Sequence, residues 1–307
     1  WPYDWSSGCW KPQNKAELQT AVDLWVSDNS SARSNYGEIN TWDVSLITDM
    51  SELFKDKSTF NDNISNWDVS NVTDMEKIFE GATNFNQDLS SWNVSSVVKM
   101  QSMFKNATSF NEDISTWVVD NVTNMDEMFR GALVFNQDIS SWNVSKVSNM
   151  AGMFRNATSF NQDISSWNVS NVTNMHKMFR SAYNFNQDIS AWDVSSVVDM
   201  EAMFQEARKF NQNISTWNAA PTLMSYMFAG ALVFNQDISS WDVSKVSNMK
   251  ALFVLAAQFN QDISSWNVSN VTDMTNMFNG ANALSDNNKR AISKSFETQN
   301  PSVWTYD

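Results

Sequence analysis

The chain has 307 residues and a formal charge of −14 from 34 acidic and 20 basic side chains. That charge excludes nucleic acid as a partner, because a phosphate backbone needs clustered Lys and Arg and no such cluster is present. Tryptophan (15), phenylalanine (20) and methionine (17) are abundant while glycine (7) and proline (4) are scarce, which excludes a disordered linker. No apolar run approaches the ~20 residues of a membrane helix, so no membrane insertion is expected.

Taken from its start, the sequence opens on "WPYDW" and closes on "WTYD" from Trp304. This echo suggests one module of a tandem array, with neighbouring copies as partners. It begins on an aromatic segment with no leader, as a mature or excised fragment would. The single cysteine, Cys9, reads either as a packed thiol or as half of an intermodule disulfide. A catalytic thiol is not expected, because the only histidine, His176, lies far along the chain. Within an N-terminal segment spanning 1–34, Asn14 precedes "KAELQTAVDLWVSD". Leu18, Val22, Leu24 and Trp25 form a helical stripe there, so this is a capping helix.

From 35 to 284 the chain repeats itself. Tryptophans fall at 42, 67, 92, 117, 142, 167, 192, 217, 241 and 266, every interval being 25 except one of 24 before Trp241. Such a period means one supersecondary unit per copy, stacked into a solenoid. Around Trp167, Ile164, Trp167 and Val169 share one face of a short strand, with Ser166, Asn168 and Ser170 on the other. Met175, Met178, Phe179 and Ala182 then follow helical spacing. Asn174 stands at the N-cap position, as do Asp49, Asp74, Asn124, Asp199 and Asp273 in other copies. The expected fold is α/β: a right-handed solenoid of about ten parallel strands, with short helices opposite them and a capping helix at each end. At ~4.8 Å per strand the sheet is roughly 45 Å long. The indoles belong inside. Turning them outward would line the core with unpaired Ser and Asn, at a cost of ~1–3 kcal/mol each.

Asn61, Asn86, Asn111, Asn136, Asn161, Asn186, Asn211, Asn235 and Asn260 each follow a core phenylalanine. They are expected to bond the backbone of the neighbouring turn. Asp88, Asp113, Asp138, Asp163, Asp188, Asp237 and Asp262 recur two residues later. Turn-capping is their expected role, with a calcium ladder at Asp138, Asp163 and Asp188 as the alternative. One copy is damaged: "NAAPTL" before Met224 puts Pro221 where a ladder bond is needed, so a bend or a lost bond is expected. Val118 places a hydrophobe in a column of Asn and Asp. Beyond 285, Ser285 can N-cap "DNNKRAISKSFETQ", with Ala291, Ile292 and Phe296 closing the last turn.

The L-x-x-L-x-L spacing, the "MF…A" stripe and the phrase "FNQDISSWNVSNVTNM" from Phe160 resemble the BspA-type leucine-rich-repeat surface proteins. The likeness is to the branch with 25-residue repeats found in mycoplasma lipoproteins, bacterial surface proteins and marine protists, and it runs from Ile39 to about Leu284. It implies an extracellular or cell-surface role in adhesion or protein interaction, with no catalytic residues and no cofactor. Independently, no nucleophile–base pair, metal cluster or phosphate loop is visible, and every carboxylate recurs where a catalytic pair would be unique. The candidate binding column is Asp43, Asp68, Asn93, Asn143, Asn168, Asp193, Asn218, Asp242 and Asn267, facing a glycan or protein ligand. A fibre built end to end is the alternative, and ice or mineral binding is disfavoured because the column lacks repeated Thr. Sequons at Asn71, Asn121, Asn171 and Asn270 are candidate N-glycosylation sites.

Overall fold

The computed structural model describes residues 9–304. Trp1 and the opening "WPYDW" echo therefore lie outside the described residues. Helix α1 (Lys15–Ser27) begins where Asn14 accepts from the Glu17 amide, and it buries Leu18, Ala21, Val22 and Trp25. Asp28 ends α1 and caps α2 (Asn29–Tyr36) by accepting from the Ser31 amide, a second helix that the apolar pattern does not announce. Helix α3 (Asp286–Gln299) starts at Ser285 and buries Ile292 and Phe296.

Between them the chain winds through ten stacked coils, registered by parallel bridges running from Asp49↔Asp74 to Asn248↔Asp273. Two features expected of each coil are replaced. The strand at Trp167–Val169 does not form a ladder. The amide and hydroxyl of Ser170 both donate to Asn168 Oδ1, and the Val172 amide closes on Val169 O at 2.8 Å. Local side-chain bonds of this kind compete with a sheet and turn the backbone. Pairing survives only as one-residue bridges, at the column read above as helix N-caps.

The helix over Met175–Ala182 is replaced by a ribbon of turns. Met178, Arg180 and Ala182 donate to carbonyls three residues back at 3.0–3.1 Å. The alternate amides of Met175, Lys177, Phe179 and Ser181 cross to Asp199, Glu201, Met203 and Gln205 of the next coil at 2.7–3.0 Å. Lys177 and Ser181 both have φ of 57°, as the third residue of a type II turn requires. Spacing decides between the two structures. Packed helices need axes about 8–10 Å apart, whereas a coil joined to the next by backbone bonds lies only ~4.8 Å away. A ribbon fits that rise and a helix does not.

The left-handed positions recur in every coil, and one column alternates. Asn106 and Asn156 hold it in their coils at φ 58° and 59°, while Gly131 holds it between them. A Cβ on Gly131 would stand 2.4 Å from Asn106 Oδ1, so a bulky residue in one coil leans over a small one in the next.

The interior is a set of ring stacks. Phe154 and Phe179 lie 5.8 Å apart at 7°, and Trp117 and Trp142 lie 6.4 Å apart at 3°. Trp167 is 3% exposed and donates its Nε1–H to Ile139 O at 3.1 Å, so the indoles point inward with their polar atom satisfied. The damaged copy keeps its place through the Asp199↔Leu223 and Leu223↔Asn248 bridges. It forfeits the closure that Val197 makes on Val194, for which Pro221 has no N–H, and the turn at Asn218, where Ala220 replaces the serine; the Met224 bond lengthens to 3.4 Å.

The ends differ. Helix α1 covers the ribbon side of the first coil, Gln19 Nε2 donating to Leu53 O and Lys15 pairing with Asp49. Helix α3 covers the opposite side of the last coil, through Gln299 to Trp266 O, Ser295 to Ser264 O and Asn300 to Val271 O. The ribbon amides of Met274, Asn276, Phe278 and Gly280 therefore have no acceptor among the described residues.

Candidate interaction surface

Asp68, Asn93, Asn143, Asn168, Asp193, Asn218, Asp242 and Asn267 form one exposed column. Asp43, at its N-terminal end, is half-buried and paired with Lys11 at 2.8 Å, so it is withdrawn from the array. The column is not a flat strand face. Its members other than Asn218 each sit at the head of a turn, and Asn93, Asn168 and Asn267 use Oδ1 to hold the amide and hydroxyl of the serine two residues on. The Nδ2 groups of these three donate to nothing among the described residues. Asn218, followed by Ala220, has no such serine and bonds the Asp193 carboxylate instead. Asp193 and Asp242 make the same turn with Ser195 and Ser244, and those bonds hold both carboxyls below the ordinary aspartate range. The result is a row of short polar groups, fixed at one end and free at the other. Val118 interrupts it as an exposed hydrophobe.

The paired asparagines behave as the sequence implies. The Asn186 amide donates to Asn161 Oδ1 at 2.8 Å, and Gln187 Nε2 reaches Asn161 O at 2.8 Å. The same exchange recurs from Asn86 on Asn61 to Asn260 on Asn235. Asp138, Asp163 and Asp188 accept from the amides of Ser140, Ser165 and Ser190 at 2.9 Å, which is turn-capping geometry. Among the described residues no group of three or more His, Cys, Asp or Glu is placed to hold a metal ion.

Asn71, Asn121, Asn171 and Asn270 are exposed. Each donates its Nδ2 to a carbonyl of the preceding coil, at Ser45, Ser95, Ser145 and Ser244 respectively. Nδ2 is the atom that N-glycosylation modifies, and a sugar there leaves one hydrogen for that bond. Cys9 is half-buried and free.

Two solved structures are similar in part. One is the TLR13–ssRNA13 complex, at 8% identity and a TM-score of 0.27, covering 89% of this chain and 48% of that one, so the chain spans about half its length. The other is a leucine-rich cell surface protein from Faecalibacterium prausnitzii A2-165, at 11% identity and a TM-score of 0.26, covering 67% of this chain and 78% of that one. No curated protein matches. A repeat-family model matches three times in tandem, over 25–141, 130–222 and 219–301, and on that coverage the chain belongs to the family described as Mycoplasma protein of unknown function, DUF285.

Proposed function

We propose that this protein is a non-enzymatic interaction module of a cell surface, taking a glycan or protein ligand on the polar column from Asp68 to Asn267. The observation that carries this is the turn geometry of Asn93, Asn168 and Asn267, whose Oδ1 atoms are pinned while their amide hydrogens have no protein partner. Groups fixed in advance lose little entropy on binding. A row of them at coil spacing suits a repeating ligand better than a compact one. The cell-surface name of one structural neighbour accords with this reading. Sugars at Asn71, Asn121, Asn171 and Asn270 would flank the column and restrict access to it.

The experiment is a glycan array read with wild-type protein and with Asn143, Asn168 and Asp193 all changed to Ala. Loss of binding with unchanged circular dichroism is expected. The change Asn168→Asp keeps the turn acceptor and removes the amide hydrogens, and it should weaken binding without touching the fold. Undiminished binding by both variants would sink the reading.

A second reading, end-to-end assembly, draws on the uncovered ribbon amides of the last coil. It faces a structural obstacle, because α1 already occupies the matching carbonyl edge at Leu53. Concentration-dependent sedimentation would favour it over the first.

A further inference from the structure

The turn ribbon carries its own charged columns, and they change character midway. In the early coils its cations are matched. Lys55 meets Glu52 at 3.3 Å, Lys77 meets Glu76 at 2.7 Å, and Lys105 and Arg130 both meet Glu127, at 2.7 and 2.5 Å. The ribbon from Met150 to Phe154 and from Met175 to Ser181, with Arg155 between, supplies Arg155, His176, Lys177 and Arg180 but no carboxylate. Among the described residues Arg155, Lys177 and Arg180 make no ion pair, and Arg155 Nε is buried without a hydrogen-bond partner. Burial first, then the charges of Arg130 and Arg180, hold the Arg155 guanidinium below its usual pKa.

A notch of about 200 Å³ opens at the same place, lined by Asp126, Glu127, Ala151, Gly152, Arg155, His176 and Lys177. Its origin is local. At Ala151 and Gly152 two columns shrink to a methyl and a hydrogen, between Asp126–Glu127 of the coil before and His176–Lys177 of the coil after. Glu127 does not satisfy Arg155, being held by Lys105 and Arg130. His176 leans the other way, its Nδ1 lying 3.7 Å from Asp199 Oδ1. The unpartnered Nε is closed to solvent, so a ligand would meet the guanidinium at its terminal nitrogens, and a planar guanidinium suits an oxyanion.

We propose that the notch at Gly152 seats one oxyanion of a ligand, a carboxylate, sulfate or phosphate group, with Arg155 as the central donor and Lys177 as the second cation. The carboxylates of Asp126 and Glu127 confine the anion to the Arg155 side. This seat lies on the ribbon, apart from the polar column, and stands or falls independently of the function proposed above.

The test is calorimetric titration of the whole chain with sodium sulfate, phosphate or acetate, each against sodium chloride at equal ionic strength. Saturable binding of at least one oxyanion is expected, and the three arms rank the chemistry. Arg155→Gln should weaken it tenfold or more. Gly152→Glu brings an internal carboxylate to a column where Glu52 and Glu127 already stand at φ 62° and 53°. Its Cβ would meet Glu127 Cγ at 3.2 Å, a flexible side chain that can yield, so the variant should fold, as circular dichroism checks, and abolish the binding. No binding beyond the chloride control, or equal binding in Gly152→Glu, would overturn the proposal.

Discussion

The two halves of each coil are joined to their neighbours in different ways. On the ribbon half the bonds between coils are backbone to backbone, as from Lys177 N–H to Glu201 O and from Phe179 N–H to Met203 O. On the return half many of them are side chain to backbone, as from Asn186 N–H to Asn161 Oδ1, Ser166 Oγ–H to Ser140 O and Trp167 Nε1–H to Ile139 O. The difference explains what the repeat keeps and what it lets drift. The left-handed ribbon position that holds Lys177 holds Glu52, Ser102, Ala202 and Tyr226 in other coils, because its bonding asks nothing of the side chain. The phrase from Phe160 to Trp167 is copied almost letter for letter because its side chains are the ladder.

The sharpest break of that comparison is at the core both halves share. Trp167→Ala removes a buried indole and its bond to Ile139 O. A loss of about 3–5 kcal/mol in denaturant unfolding is expected, and a loss below 1 kcal/mol would mean the ring stacks do not hold the coils together. Next in size is the contrast between halves. Asn161→Ala leaves the Asn186 amide without its acceptor and should cost ~1–3 kcal/mol. Lys177→Ala, on the ribbon in a column where Ala202 already stands at φ 53°, should stay within about ±0.5 kcal/mol. Equal effects would erase the distinction.

Much of this was legible in the sequence for physical reasons. The Trp period fixed the coil count, the alternation fixed which side is buried, and Asn14 and Ser285 marked their helices by capping chemistry. Apolar spacing does not separate the expected strand and inner helix from the turns that form, because all of them share it. Met175, Met178, Phe179 and Ala182 face the core in a ribbon of turns as they would in a helix. The signal against a helix in the sequence lies in residues such as Gly131 and Gly152 within the expected helical stretch. The exposure of the polar column follows from the alternation, but the turns that pin its members other than Asn218 have the same spacing in sequence as one face of a strand. The Gly152 notch was not visible, because it arises from two small residues lying between charged ones that are 25 positions away on either side.

Acid titrates lowered carboxyls on both halves, and on the return half it acts through one recurring bond. The carboxyls of Asp113, Asp163, Asp188 and Asp237 are held below the ordinary range by the backbone amide, then the hydroxyl, of the serine two residues on. A folded-state value below the unfolded one contributes stability that is whole above the ordinary aspartate range and is lost as pH falls through about 4. Each contribution is small, because these groups face solvent, but they recur along the stack. Melting temperature followed from pH 6 to pH 3 should therefore fall steeply below about pH 4. Changing Asp113, Asp163 and Asp188 together to Asn should flatten that slope. Asn213 already fills the same column and accepts from the Ser215 amide at 3.0 Å, so the exchange keeps the turn. An unchanged slope would assign acid sensitivity to the ribbon ion pairs instead.

The smallest perturbation costs no stability and reads the two halves directly. Amide hydrogen exchange reports whether an N–H is bonded and buried. In the sixth coil the amides of Met175, Lys177, Phe179 and Ser181 donate to the next coil and should be among the slowest in the chain. In the last coil their counterparts at Met274, Asn276, Phe278 and Gly280 have no next coil, and α3 lies over the opposite side. They should exchange fastest of any ribbon set, although Met274 is itself 2% exposed. The Asn260 side of that coil, bonded to Ser285 and Asn288, gives the internal control: the Ser285 amide, which donates to Asn260 Oδ1 at 2.9 Å, should stay protected. Slow exchange at all four ribbon amides would show that something covers this end in solution, and it would reopen end-to-end assembly as the use to which the protein puts it.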